Sequence, residues 1–152
     1  MNETAAAAWH RFLADTGRAA DTPCFECFHF CNTESAANEL LALVLCGKKR
    51  ATASLKACYD AEDGPFPAAG DLSLVTDFAG TPACVIETVA VTVLPFCEMT
   101  YEICSREGED DVLETWRQNH RHYFSQECAE LGLSFSEQMD VVFEDFEIVY
   151  RF

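Results

Sequence analysis

Apolar residues recur at helical spacing from about Thr4 to Ala14, where Trp9, Phe12 and Leu13 share a face before Gly17 breaks the pattern. A loop through Asp21-Thr22-Pro23 leads to a short aromatic run near Phe25 to Phe30, read as a strand. Thr33 is a suitable N-cap with Glu34 in the first turn, and it opens a helix through Leu40, Leu41, Val44 and Leu45 that stops at Gly47. Thr52 and Ser54 then fall in a strand, and Asp60 to Gly70, with Asp63-Gly64-Pro65, Pro67 and Gly70-Asp71, reads as a loop. Leu72 to Thr76 and Ala83 to Leu94 predict strands around a turn at Asp77 to Thr81. On the second strand, period two puts Val85, Val89, Val91 and Val93 on one face with Glu87 among them. That carboxylate is functional, exposed by a bulge, or paired.

From Asp111 the spacing is helical again. Asp111 and Glu114 form an N-cap and N3 pair, and Gly132 closes the helix. Val112, Trp116, Tyr123 and Phe124 make its core face, while Arg117, Arg121 and Ser125 line up as a polar stripe. A last strand runs from about Val141 to Tyr150. Strands dominate the centre and helices flank them, which predicts an α+β fold in a single domain over residues 1–152. Its N-terminal helix and loop occupy 1–23, and the sheet core with its helices occupies 24–152.

Composition narrows the setting. With 152 residues and 49% apolar content the chain can bury a real core. No apolar run approaches the roughly 20 residues of a membrane span, and the Ala-rich opening lacks the basic flank of a signal peptide, so a soluble, cytoplasmic protein is expected. Nine cysteines are an odd number, and Cys46, Cys58, Cys84, Cys97, Cys104 and Cys128 sit in apolar runs, as reduced buried thiols do. Cys24, Cys27 and Cys31 around His29 are the one place for zinc. Structural zinc sites show two spaced ligand pairs, however, and a strand tucking these thiols inward is the expected reading, with no metal and no cofactor.

A formal net charge of -16 opposes duplex DNA and other long nucleic acid, whose binding relies on neutralising many phosphates. Against that background, Lys48, Lys49, Arg50 and Lys56 place four of the ten Lys and Arg residues in nine positions. Cations there also complement a helix C-terminus, which is a sufficient structural reason for them. The alternative is a local site for a small or single-stranded ligand.

The order of motifs carries a resemblance. Asn38-Glu39-Leu40, Gly47-Lys48-Lys49-Arg50-Ala51-Thr52-Ala53-Ser54, Gly70-Asp71, Val85-Ile86-Glu87-Thr88, Pro95-Phe96, Glu107-Gly108-Glu109-Asp110, Trp116-Arg117, Tyr123-Phe124 and Glu144-x-Phe146 follow one another along the chain. From roughly Phe28 to Tyr150 this resembles the ASCH (activating signal cointegrator homology) family, in its full-length bacterial branch. The resemblance implies a PUA-like fold, a small curved β-barrel with flanking helices and a cleft beside the Gly-Lys-Lys loop. It also implies binding of single-stranded RNA or a modified nucleoside or nucleotide.

Some short members look like amidohydrolases acting on N(4)-acetylcytidine, and that pattern carries over to Lys49, Thr52 and Glu109. Some full-length members are assigned single-strand ribonuclease activity, which would draw on Lys48, Lys49 and Ser125. A non-catalytic sensing module is the third reading. Lys48, Arg50, Ser54, Glu87, Arg117, Arg121 and Ser125 are the candidate ligand contacts, while His120 and His122 read as structural.

In the amidohydrolase scheme Lys48 and Arg50 repel the Lys49 ammonium, and Lys49 then takes the proton of Thr52. Strict alternation would put Lys49 and Thr52 on opposite strand faces, so the scheme requires Lys49 to lie in the bend before the strand.

Overall fold

A computed structural model describes residues 1–62 and 64–152; the Asp63 position of the expected turn lies outside the described residues. In chain order the elements are α1 (Glu3–Thr16), β1 (Cys27–Phe28), α2 (Glu34–Leu45), β2 (Ala51–Leu55), α3 (Lys56–Glu62), β3 (Leu72–Thr76), β4 (Pro82–Pro95), α4 (Tyr101–Cys104), α5 (Leu113–Glu130) and β5 (Asp140–Arg151). The strands form one mixed sheet in the order β1-β3-β4-β5-β2, parallel only between β1 and β3. It curls into a half-barrel with flanking helices, the expected α+β architecture.

Alternation on β3 explains why both sheet faces are covered. Leu72 and Leu74 pack with Trp9, Phe12 and Leu13 of α1, whereas Val75 packs with Leu41 and Val44 of α2. A third cluster joins Leu55, Val141 and Phe143 to Phe96, Trp116 and Phe124, fixing α5 against the far edge of the sheet. No described helix is long and apolar enough to cross a membrane.

The structure amends several expectations. The valine face of β4 is interrupted, because register shifts between Val85 and Ile86 and between Thr88 and Ala90 rotate the strand; Val85 is buried while Val89 and Val93 are exposed. The helix predicted from Asp111 starts at Leu113, and its N-cap position is Val112, whose side chain supplies no cap bond. Val112 is exposed, so it adds nothing to the core, and Tyr123 is only partly covered. The loop expected from Asp60 begins later because α3 follows β2 directly. Cys46 and Cys97 are exposed rather than buried.

Candidate functional site

The curled sheet encloses a cavity of about 540 Å³ on its concave face. Phe28, Ser73, Ile86, Thr88, Glu144, Phe146, Thr52 and Ser54 bring all five strands to it, and α2 and α5 form its walls. A volume of this size suits a nucleoside-sized molecule.

Local backbone geometry explains how Lys49 enters. After α2 ends, Gly47 adopts φ 78°, and the N–H groups of Lys48 and Lys49 both donate to the Leu43 carbonyl, at 2.9 and 3.0 Å. Lys49 therefore precedes β2 and is free of its alternation, which meets the geometric requirement for Lys49 and Thr52 to share a hollow. Both line the cavity, as does Ser54.

The neighbouring turn supplies acids. Arg50 N–H donates to Arg106 O at 2.9 Å, pinning a 3₁₀ turn (Ser105–Glu107) beside Lys49. Gly108 then takes φ 71°, and the chain doubles back so that Glu107 and Glu109 converge on one ammonium. A Cβ at Gly108 would run into the Lys48 carbonyl, 2.7 Å from its carbon, so this close approach requires glycine.

Lys49 is 2% exposed. Its Nζ donates to Glu109 Oε1 in a short contact and to Glu107 Oε1 at 3.4 Å, and it lies 5.2 Å from the Phe30 ring centroid. Glu107 also accepts from Trp116 Nε1 at 2.5 Å and lies 3.4 Å from His120 Nε2. Burial alone would raise the Glu107 pKa; Lys49, His120 and Trp116 outweigh it and hold the carboxyl well below the usual range. His120 moves the other way, since hydrogen bonding and attraction to Glu107 overcome desolvation and raise its pKa.

Not every expected residue gathers here. Lys48 and Arg50 are exposed and do not line the cavity, so the groups within ion-pair reach of Lys49 are two carboxylates rather than the expected repelling cations. Glu87 pairs with Arg18 at 3.3 Å away from the cavity lining. Arg117 donates to the Cys97 and Met99 carbonyls, Arg121 pairs with Glu137 at 2.6 Å, and Ser125 donates to Arg121 O. The α5 face that lines the cavity is instead Asn119, His120, Tyr123 and Glu127. His120, expected to be structural, therefore lines the candidate site.

Glu107, His120, Glu144 and Tyr59 also line the cavity and are not among the residues expected there from sequence. The available signals were a second acid across Gly108, a histidine one helical turn after Trp116, and a carboxylate sharing a strand face with Val142 and Phe146. The cysteines of the Cys24 to Cys31 segment are free thiols; Cys24 Sγ donates to Glu26 O at 3.0 Å, and Cys31 lines the cavity. Among the described residues no group of three or more His, Cys, Asp or Glu side chains is arranged to hold a metal ion.

Comparison with known proteins agrees with this architecture. The ASCH domain from Lactobacillus crispatus JV V101 matches with a TM-score of 0.91 at 34% identity, covering 99% of this chain and 97% of that one. A protein from Enterococcus faecalis V583 matches with a TM-score of 0.90 at 27% identity, covering 99% of this chain and 91% of that one. No curated protein sequence matches. The sequence model of the ASCH domain matches residues 26–150, and the chain thus belongs to the ASCH domain family.

Proposed function

We propose that this protein binds a nucleoside, free or at an accessible position in RNA, in its cavity and hydrolyses an acyl amide on the base. The ASCH family is in general RNA-binding, which makes a base the first class of ligand to consider. Phe25, Phe28, Phe30, Phe146 and Tyr123 line the cavity and offer faces for stacking. The observation that carries the catalytic reading is the meeting of Lys49, Thr52 and Glu109 at one hollow, with Lys49 and Glu109 in direct contact.

In this scheme the Thr52 hydroxyl attacks the acyl carbon as its proton passes to Lys49, which hands one of its own to Glu109. The C–N bond then breaks, and the departing amine takes a proton back along the same path. Water cleaves the Thr52 ester, releasing the carboxylic acid and restoring the hydroxyl. Glu107 holds Lys49 in place and takes no proton. Trp116 and His120 fix Glu107.

The charges disfavour the ribonuclease alternative. Glu26, Glu39, Glu107, Glu109 and Glu127 line the cavity beside Glu144, and of its basic residues Lys49 is already paired with Glu107 and Glu109 and His120 with Glu107, leaving His29. Such a cavity repels a phosphodiester, and Lys48 and Ser125 lie outside its lining. Incubating the protein with N(4)-acetylcytidine and, separately, with an unmodified single-stranded RNA oligomer tests the choice by chromatography. Release of cytidine and acetate with intact oligomer is expected. Oligomer cleavage without deacylation would favour the ribonuclease, and saturable nucleoside binding without any turnover would leave a sensing module.

A further inference from the structure

The cavity floor carries a carboxyl group that the acyl-transfer scheme does not use. Glu144 of β5 is the direct register partner of Thr52 on β2, and both line the cavity. Side chains paired in this way have Cβ atoms about 4.5–5.5 Å apart. Two hydroxyls from separate elements aim the carboxyl: Tyr59 of α3 donates to Oε1 at 3.2 Å and Thr88 of β4 donates to Oε2 at 3.5 Å. Each hydroxyl occupies one lone pair, so each oxygen keeps hydrogen-bonding capacity for a ligand.

We propose that Glu144 is the base-positioning residue of the nucleoside site, on which reading this inference rests. Its carboxyl, aimed by Tyr59 and Thr88 beside Thr52, pairs with the amidine edge of an amino-substituted base, a ring nitrogen next to an exocyclic N–H. That pairing sets the acyl carbon, one bond from the exocyclic nitrogen, against the Thr52 hydroxyl.

The chemistry of the two partners matches. An un-ionised carboxyl presents one O–H donor and one carbonyl acceptor side by side. Cytosine and adenine present an accepting ring nitrogen beside an N–H donor, and acylation of the amino group leaves one N–H in place. Uracil and guanine present the reverse order, an N–H beside a carbonyl, which the same carboxyl meets with its proton on the other oxygen, so the contact positions a donor–acceptor edge and the acyl group is read by Thr52.

The surroundings favour the un-ionised form. Burial, with the negative charges of Glu26 and Asp71, outweighs the hydrogen bonds from Tyr59 and Thr88 and raises the carboxyl to about 7. Thr52 and Ser54 from β2 are neutral, and the Tyr59 phenol is itself pushed up by burial and by Glu144, so it stays protonated. Ionisation would leave only acceptors and remove the contact to the ring nitrogen.

Calorimetric binding of cytidine and adenosine to wild type, Glu144→Gln and Glu144→Ala tests this, from about pH 5.5 to about pH 8.5. Wild type should bind both roughly tenfold more tightly at the acidic end than at the basic end, with the change centred near about 7. Glu144→Gln, whose amide also offers one donor and one acceptor, should keep the tight binding and flatten the pH profile. Glu144→Ala, checked by its melting curve for folding, should bind roughly tenfold more weakly than wild type at the acidic end.

A wild type whose affinity for cytidine does not change with pH would overturn the proposal, as would a Glu144→Ala protein indistinguishable from wild type. If wild type hydrolyses N(4)-acetylcytidine but Glu144→Ala keeps the same KM and pH profile, the inference fails alone. If wild type neither binds nor hydrolyses any nucleoside, the nucleoside reading fails and takes this one with it.

Discussion

Trp116 donates its indole N–H to Glu107 Oε2 at 2.5 Å, behind the Lys49 ammonium that Glu107 Oε1 faces at 3.4 Å. The indole is fully buried and stacks on Phe96, with ring centroids 5.4 Å apart. The hydrophobic core thus reaches the cavity through one carboxylate, and the position of the proposed base depends on how α5 packs.

Removing the cation should therefore cost more than removing a surface charge. Lys49→Met leaves buried Glu107 with His120 alone opposite its charge and Glu109 without its lysine, at an expected cost of about 3–5 kcal/mol. Urea denaturation measures it, and the double variant Lys49→Met/Glu107→Gln should recover part of the loss. Trp116→Phe should cost about 1–3 kcal/mol from the lost donor, beyond any change in packing. An exposed Lys48→Ala change should be close to neutral.

Gly108 sets the approach of the two acids. Gly108→Ala forces a side chain into a left-handed backbone position and against the Lys48 carbonyl. A loss of roughly 1–3 kcal/mol is expected from strain of this kind. Deacylation should fall further than in a surface glycine variant such as Gly132→Ala, because Glu107 and Glu109 flank the displaced residue.

Stability should fall on both sides of a mildly acidic optimum. Glu107 has a depressed pKa, so its contribution is present above the ordinary carboxylate range and is lost as pH falls through the lower folded value. His120 has a raised pKa, so its contribution is present below its unfolded value and disappears as pH rises through the folded one. Glu144 is raised from 4.5 to about 7, so the folded state binds the extra proton between those values and loses stability as pH climbs through them. At pH about 8 the ionised carboxyl costs roughly 3 kcal/mol. Melting temperatures of wild type should decline from about pH 5 to about pH 8, and those of Glu144→Gln should decline less.

The acidic cavity also sets a preference among ligands. Cytidine should bind more tightly than its 5′-monophosphate, and added salt should narrow that gap by screening the carboxylates. A tighter monophosphate, weakened by salt, would instead indicate a phosphate site.

Most strands and the three long helices were legible because their periodicity and caps are local. Thr33 accepts the Ala36 N–H as expected, and Gly132 follows the end of α5 at φ 70°. Lys49 and Thr52 were legible as candidates through the Gly-Lys-Lys segment and the resemblance it carries. The remainder depends on contacts distant in sequence. Alternation keeps Glu87 on the Val85 face of β4, toward α1 and Arg18, while Glu144, on a strand of similar alternation, faces the cavity; which face meets the cavity is set by packing distant in sequence. Glu107 is 58 residues from Lys49, and nothing in its local sequence announces that partner. Arg117, Arg121 and Ser125 form a real helical stripe, but α5 turns its Asn119, His120 and Tyr123 side to the cavity.

Steady-state release of acetate from N(4)-acetylcytidine by wild type and Thr52→Ala, with cytidine affinity measured on the same preparations, bears most directly on the proposed chemistry. Turnover by wild type that disappears in Thr52→Ala while cytidine affinity is retained is the expected result. Deacylation that proceeds at the wild-type rate without the Thr52 hydroxyl would contradict it.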